Sequence, residues 1–124
     1  MENSPPKLVS LKRSGEFRRV RESGASFSGK WLVMGVWRVQ GAEVGGTSSS
    51  GVRFGVITSR KVGGAVVRNK VRRRLRHIQR EQHGKILGDV WCVTVARFRA
   101  AQATFAELEA EWCKLAKRAG VLPS

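Results

Sequence analysis

SRKVGGAVVRNKVRRRLRHIQR, residues 59–80, is the stretch that decides the fold. It carries nine Lys or Arg residues and no Asp or Glu. If the part after Gly64 is a helix, four apolar side chains fall within about 80° of one another on one side of it. They are Val67, Val71, Leu75 and Ile78. This stripe predicts the buried face of a basic helix that begins near Ala65.

Arginine recurs at every fourth position on the side of this helix that faces away from the apolar stripe. The positions are Arg68, Arg72, Arg76 and Arg80, with Asn69 and Arg73 beside them. Like charges four residues apart destabilise a helix by roughly 0.2–0.5 kcal/mol per pair, and no carboxylate in the stretch offsets this cost. Two interpretations are open: a solvated charged face, or a surface whose missing negative charge comes from a polyanion.

The whole chain of 124 residues is strongly basic, with a formal net charge of +15 and a pI near 11.6. Such a charge points to nucleic acid or to an anionic membrane surface as the partner. A membrane partner is disfavoured, because no apolar run approaches the roughly 18 residues of a spanning helix. The N-terminal MENSPPK does not have the pattern of a signal peptide. Cys92 and Cys113 lack metal-site spacing, which predicts reduced thiols in a cytoplasmic protein.

Hydrophobic periodicity predicts three strands and two further helices around the basic helix. The predicted strands are residues 31–39, 52–59 and 89–98, and the predicted helices are residues 15–22 and 104–119. Three glutamates of the last helix lie off its apolar stripe and are expected on a solvated face: Glu107, Glu109 and Glu111. The order helix, strand, strand, helix, strand, helix predicts an α+β fold, a compact two-layer sandwich with a mostly antiparallel central sheet. The basic helix is expected to be the crossover between two of its strands.

The domain organisation follows from composition. Residues 10–119 are predicted to form a single domain that binds nucleic acid. The segments outside its regular elements are predicted to be a flexible N-terminal tail, a Gly- and Ser-rich hairpin loop and a short C-terminal tail. These segments are residues 1–9, 40–51 and 120–124.

The residues do not predict a stand-alone protein nuclease. Such an enzyme usually needs several carboxylates around metal ions, or paired histidines for acid and base work. The chain has a single Asp, Asp89, and its eight Glu are in the tail, in loops, near caps or together on one helix face. His77 and His83 are six residues apart and form no recognisable catalytic pattern. The chain is therefore expected to bind a polyanion without cutting it, and to carry no metal site.

The binding residues can be sorted further. The arginines offer forked donors that grip phosphate, and residues on one helix face could follow a folded RNA backbone. Asn69 could reach a base, a ribose hydroxyl or its own backbone. Arg60 and Lys61 come from a strand end and could belong to a second, separate anionic site.

Two pieces of the chain together carry a resemblance to a known family. The string GGAVVRNKVRRRLR (63–76), followed by the strand DVWCVTVAR (89–97), resembles the protein subunit of bacterial ribonuclease P. The similarity covers about residues 10–118, and its most specific part, residues 65–73, looks like the RNR signature helix of that family. The resemblance implies a fold similar to that of a domain of a small-subunit ribosomal protein.

The resemblance also implies partners and chemistry. In the family a large RNA subunit carries the catalytic site and its Mg²⁺ ions, and the holoenzyme, with one protein per RNA subunit, removes the 5′ leader from precursor tRNA. The RNR helix docks on the catalytic RNA, which by position implies roles for Arg68, Asn69, Lys70, Arg72, Arg73, Arg76 and Arg80. A cleft between the first helix and the sheet holds the leader, which implies roles for Phe17, Arg21, Met34, Ser59, Arg60, Lys61 and Arg97.

The chain departs from the family pattern at several positions. Arg21 stands where a second Phe is common, and Met34 stands where an aromatic residue is frequent. Phe98 and Arg99 occupy a region where the family often has Pro.

The alternative to a ribonuclease P protein subunit is a ribosomal or generic RNA-binding protein with no role in cleavage.

Overall fold

One four-stranded sheet organises the part of the chain that the computed structural model describes, namely Leu11, residues 14–38 and residues 52–123. Its strands are β1 (Ala25–Ser28), β2 (Leu32–Arg38), β3 (Arg53–Thr58) and β4 (Val90–Ala96). Their order is β1-β2-β4-β3, with antiparallel β1–β2 and β2–β4 pairs and a parallel β3–β4 pair. The α-helices of this part are α1 (Ser14–Ser23), α2 (Ala65–Gln82) and α3 (Phe105–Arg118). The predicted α+β sandwich with a mostly antiparallel sheet is confirmed.

The predicted basic helix is α2. It begins at Ala65 as expected and forms the crossover that the parallel strands β3 and β4 require. A short 3-10 turn, Arg60–Val62, separates β3 from α2 and ends at Gly63. Gly63 has φ +151°, and a Cβ atom there would come within 2.8 Å of Val67. Glycine therefore lets the chain turn from the strand end into the helix.

The main core lies between the sheet and the two helices α2 and α3. The predicted stripe of α2 is buried at Val71, Leu75 and Ile78, whereas Val67, in the first turn, is 38% exposed. The apolar stripe predicted for α3 is also confirmed, since its central residues are fully or almost fully buried: Leu108, Trp112 and Leu115. Burial of these side chains is the main force that holds both helices on the sheet.

A buried polar network crosses this core. The Gln79 side-chain amide on α2 donates hydrogen bonds to the Gly55 carbonyl and to Thr94 Oγ1, both at 3.3 Å. Trp112 Nε1 on α3 donates to the same Thr94 hydroxyl at 2.9 Å. The network thus connects α2, α3, β3 and β4 through side chains that have no access to water, where an unmade hydrogen bond is costly.

The helix α1 covers the opposite face of the sheet. Two strand glycines lie beneath it, and each allows a close approach. A Cβ atom on Gly55 would come 2.6 Å from Phe17, and one on Gly35 would come 3.2 Å from Val20. The strand β4 is covered on both sides, because Val93 is buried on the α1 side and Cys92 belongs to the main core.

The short strand β1 was missed because its four residues, ASFS, have no strong β pattern, and its pairing with β2 is what makes it a strand. The turn after β1 is held by Glu111 of α3. Its carboxylate accepts hydrogen bonds from three successive backbone N–H groups, at 2.9, 2.7 and 2.7 Å: Lys30, Trp31 and Leu32. The prediction of a solvated Glu111 is therefore wrong.

The predicted C-terminal tail is also corrected. Val121 and Leu122 are buried in the main core, and the Val121 carbonyl accepts a hydrogen bond from the Leu87 N–H at 2.8 Å. The predicted N-terminal tail, residues 1–9, and the predicted loop, residues 40–51, lie outside the described residues.

Candidate nucleic-acid interface

The outer side of α2 forms a shallow groove, here called the basic groove. Five residues that the sequence pattern places on this side line it together: Asn69, Arg72, Arg73, Arg76 and Arg80. The groove has a volume of about 370 Å³, and none of these residues is acidic. Each guanidinium can grip a phosphate through two parallel hydrogen bonds. The basic groove can therefore hold the backbone of a phosphate-rich polymer.

The arginines of α2 are not equivalent. Arg72 is oriented by the protein itself, because its guanidinium donates to Thr58 Oγ1 at 2.7 Å and to Asn69 Oδ1 at 3.5 Å. Arg68, one turn earlier, is half-buried and does not line the groove. Its Nε atom is shielded from solvent and has no hydrogen-bond partner among the described residues. The exposed cations of the groove are Arg73, Arg76 and Arg80.

Two other basic residues of α2 lie outside the groove. Lys70 is exposed but does not line it. Arg74 is partly buried and donates to the Ala103 carbonyl at 3.1 Å, so it ties α2 to the segment before α3. The one acidic residue of α2 is Glu81, whose Oε2 lies 3.2 Å from His77 Nε2.

A cleft runs between α1 and the sheet, here called the α1 cleft. Its volume is about 260 Å³, and its lining includes Phe17 and Arg21, as the resemblance implied. Its floor is apolar and comes from three neighbouring strands: Val33, Ile57 and Val95. An apolar floor with an aromatic ring and a guanidinium at its side suits the flat faces and phosphates of single-stranded nucleic acid.

Met34 does not lie in this cleft. It is 0% exposed and belongs to the main core on the other face of the sheet. Successive residues of a strand point to opposite faces, so the cleft receives Val33 and Gly35 from β2 instead. The prediction that Met34 contacts the leader is therefore wrong.

The remaining residues of the predicted leader site lie at the carboxyl ends of the two parallel strands, β3 and β4. Ser59, Arg60 and Lys61 follow β3, and Arg97 follows β4; all four are exposed. Ser59 Oγ accepts a hydrogen bond from the Lys61 N–H at 3.3 Å and caps the 3-10 turn. These residues do not line the α1 cleft itself. They lie just past its floor, because Ile57 and Val95 precede them on the same strands.

Sequence reasoning missed the cleft floor. Val33 and Val95 belong to strands that are apolar on both faces, so alternation did not show which of their residues face α1. Gly35 and Gly55 carried a usable signal, since a glycine inside a strand often marks the close approach of another element. Both lie on the α1 face of the sheet.

The described residues bring no group of three or more His, Cys, Asp or Glu together in a way that could hold a metal ion. None of the described helices is long and apolar enough to cross a membrane. Both cysteines are free thiols. Burial raises the pKa of Cys92 to about 12, and burial also raises the pKa of Cys113, so neither is an activated nucleophile.

Comparison with known proteins identifies relatives across most of the chain. The family model described as Ribonuclease P matches residues 6–120. The ribonuclease P protein component of Syntrophomonas wolfei is 34% identical, over 93% of this chain and 90% of the relative. That of Acidothermus cellulolyticus is 37% identical, over 91% of this chain and 89% of the relative. These relatives favour the ribonuclease P interpretation over a ribosomal or generic RNA-binding protein.

Solved structures have the same fold. The RNase P protein of Staphylococcus aureus superposes with a TM-score of 0.79 at 24% identity, over 94% of this chain and 99% of the other. The RNase P protein of Thermotoga maritima gives a TM-score of 0.72 at 23% identity, over 88% of this chain and 96% of the other.

Proposed function

Because this chain belongs to the ribonuclease P protein family, we propose that it binds a catalytic RNA subunit through the basic groove and holds the 5′ leader of precursor tRNA in the α1 cleft. The observation that carries the proposal is the separation of the two surfaces. The basic groove lies on the outer side of α2, whereas the α1 cleft lies on the opposite face of the sheet. One protein can therefore contact two RNA segments at once.

Docking on the RNA subunit uses the exposed guanidinium groups of α2. A net charge of +15 attracts RNA from a distance, and the arginines fix phosphates once contact is made. Arg72, braced against Thr58, supplies a donor whose position is set before binding. The arginines therefore give affinity for an RNA surface of matching shape, with little dependence on base sequence.

Leader binding uses the α1 cleft and the strand ends beyond it. Phe17 offers a ring for stacking, and the planar guanidinium of Arg21 can stack in place of a second aromatic residue. Ser59, Arg60, Lys61 and Arg97 then meet the phosphates that leave the cleft. Stacking and phosphate contacts tolerate many sequences, as a processing factor for different precursor tRNAs requires.

The chemistry of the proposed holoenzyme is hydrolysis of the phosphodiester bond that joins leader and tRNA. We assign the catalytic centre and its Mg²⁺ ions to the RNA subunit. The described residues of this chain do not fit a Mg²⁺ site, because they offer no cluster of carboxylate ligands. The contribution of the protein is to bind and orient the two RNAs, at one protein per RNA subunit. Free thiols and RNA partners support a cytoplasmic location.

Reconstitution tests this function. Purified protein alone should leave precursor tRNA intact, while protein together with the RNA subunit at a modest Mg²⁺ concentration should release the leader. The RNA subunit alone at the same Mg²⁺ concentration is the control. Cleavage by the protein alone, or no gain when the protein is added, would overturn the proposal.

A further inference from the structure

Phe98 is an exposed aromatic side chain at the carboxyl end of β4. It is 57% exposed, and it is the one aromatic residue among the large apolar side chains that lie exposed in the described part of the chain. A single exposed apolar residue is ordinary on a protein surface. Its surroundings are what distinguish Phe98.

Four cations lie beside Phe98 in the sequence or follow the neighbouring strand. Arg97 and Arg99 flank Phe98, and the guanidinium of Arg99 lies 5.4 Å from the ring centroid. Arg60 and Lys61 follow β3, whose last residue pairs with the last residue of β4. Neither residues 57–62 nor residues 96–103 contain an Asp or Glu. Both strand ends therefore carry cations with no acidic neighbour in the sequence, which suits a phosphate backbone next to the ring.

The segment that carries the ring is ordered by the core. Phe98 begins a 3-10 turn, Phe98–Gln102, in which Ala100 is 0% exposed. The Ala100 N–H donates to the Arg97 carbonyl at 2.9 Å, and the Arg97 N–H donates to the Trp31 carbonyl at 2.9 Å. Arg97 Nη1 also donates to the Gly29 carbonyl at 2.9 Å. Because the backbone is already held in place, only the side chain of Phe98 has to be ordered when it binds.

We propose that Phe98 is a stacking platform for an unpaired base of the precursor leader, at the point where the leader passes from the α1 cleft over the ends of β3 and β4. The inference rests on the proposed function. Ile57 and Val95 line the cleft, and the chain reaches the exposed residues Ser59 and Phe98 two and three residues later. A single-stranded leader that leaves the cleft toward the carboxyl ends of β3 and β4 meets the cations and then the ring.

Stacking also fits the residue type. The Phe98 side chain itself has no group that binds phosphate, but its phenyl ring can stack on any of the four bases. Among the described residues, Phe17 is the one aromatic residue that lines the cleft. Phe98 adds a second ring to the leader path and makes part of leader binding insensitive to salt.

The test compares three variants in the reconstituted holoenzyme: Phe98→Ala, Phe98→Leu and Phe98→Trp. Leu keeps an apolar side chain without a ring, and Trp enlarges the ring. We expect Phe98→Ala and Phe98→Leu to weaken precursor tRNA binding about tenfold, as expected for the loss of one base stack, and Phe98→Trp to match or exceed the parent. Binding of mature tRNA, and of the RNA subunit by the protein, should stay unchanged.

The salt dependence and one control separate stacking from other roles. Phe98→Ala should lower precursor affinity without changing the slope of log Kd against log salt, because no phosphate contact is lost. Leu87→Ala, which removes a 46% exposed apolar side chain from the segment before β4, should have no effect. Equal binding by Phe98→Ala and the parent, a rank order in which Leu equals Phe, or equal losses for precursor and mature tRNA would each overturn the inference. If the parent holoenzyme does not process precursor tRNA at all, the proposed function fails instead.

Discussion

Glu111 and Gly29 lie so close together that a Cβ atom on Gly29 would come within 2.5 Å of the Glu111 carboxyl carbon. The carboxylate sits over the turn between β1 and β2 and accepts the three N–H groups that follow Gly29. The carbonyl of Gly29 in turn accepts from Arg97. One acidic residue of α3 thus fixes the turn that orients a cation proposed to bind the leader.

Glu111→Ala should lower the free energy of unfolding by about 2–4 kcal/mol, because three backbone donors, two of them partly buried, lose a charged acceptor. The measurement is urea unfolding followed by circular dichroism. Glu109→Ala on the same helix removes the same charge without touching the turn and should stay within about 0.5 kcal/mol of the parent. Equal effects of the two substitutions would show that the turn does not depend on Glu111.

Thr94→Val should cost about 1–3 kcal/mol, since Trp112 Nε1 and one hydrogen of the Gln79 amide would lose their shared acceptor inside the core. Thr and Val side chains have nearly the same shape, so the substitution changes the packing of the core little. Thr94→Ser keeps the hydroxyl and should retain more of the stability than Thr94→Val does. Full stability of Thr94→Val would mean that the network contributes nothing.

Val33→Ala and Met34→Ala test which face of β2 borders the α1 cleft. Met34→Ala should cost about 2–5 kcal/mol, because it leaves a cavity in the main core, and should leave the preference for precursor over mature tRNA unchanged. Val33→Ala should cost less stability and should reduce that preference. A loss of precursor preference in Met34→Ala but not in Val33→Ala, measured in binding assays, would show that Met34 rather than Val33 borders the leader site.

Stability should fall as the pH rises above about 9, in part because of Cys92. Its pKa is raised from 9.0 in the exposed chain to about 12 in the folded protein. Below pH 9 the thiol is protonated in both states and has no effect. Between pH 9 and 12 the unfolded state ionises while the folded state does not, so folding weakens by up to about 1.4 kcal/mol per pH unit. Cys92→Ala should show a shallower decline than the parent in urea unfolding between pH 8 and 10, whereas an identical decline would exclude Cys92 as its cause.

The helices were predictable because their signals are local. The 3,4-spaced apolar residues of α3 and the apolar and basic faces of α2 need no knowledge of the rest of the fold, and both helices lie where the pattern predicts. The basic groove followed from the same periodicity, since the residues that line it are on one helix side.

Other features depend on residues far apart in the chain. Glu111 contacts backbone atoms 79–81 residues away, so a charged residue off the apolar stripe could not be distinguished from a solvated one. Met34 and Val33 are both apolar, and only the position of α1 above Gly35 and Gly55 decides which of them borders the cleft. β1 is a strand because β2 pairs with it.

Arg73→Ala combined with Arg76→Ala tests the basic groove. Both side chains are exposed, so their loss should leave the fold intact, unlike that of Arg72, which also bonds Thr58. The double variant should bind the RNA subunit more weakly, with a salt slope reduced by about 0.9 log units per lost phosphate contact. Lys114→Ala combined with Lys117→Ala on α3 changes the net charge equally and should have a smaller effect. An unchanged slope would remove the groove from the docking surface.

The separation of the two RNA surfaces is tested most directly with the variant Lys61→Ala, assembled into holoenzyme with saturating RNA subunit. The measurement is the Kd of this holoenzyme for precursor tRNA and for mature tRNA, compared with the parent holoenzyme. Lys85→Ala, an exposed lysine just after α2, is the matched control. The predicted result is a weaker precursor complex, an unchanged mature tRNA complex and undiminished affinity of the protein for the RNA subunit. Equal losses for precursor and mature tRNA would contradict a separate leader site on the sheet side of the protein.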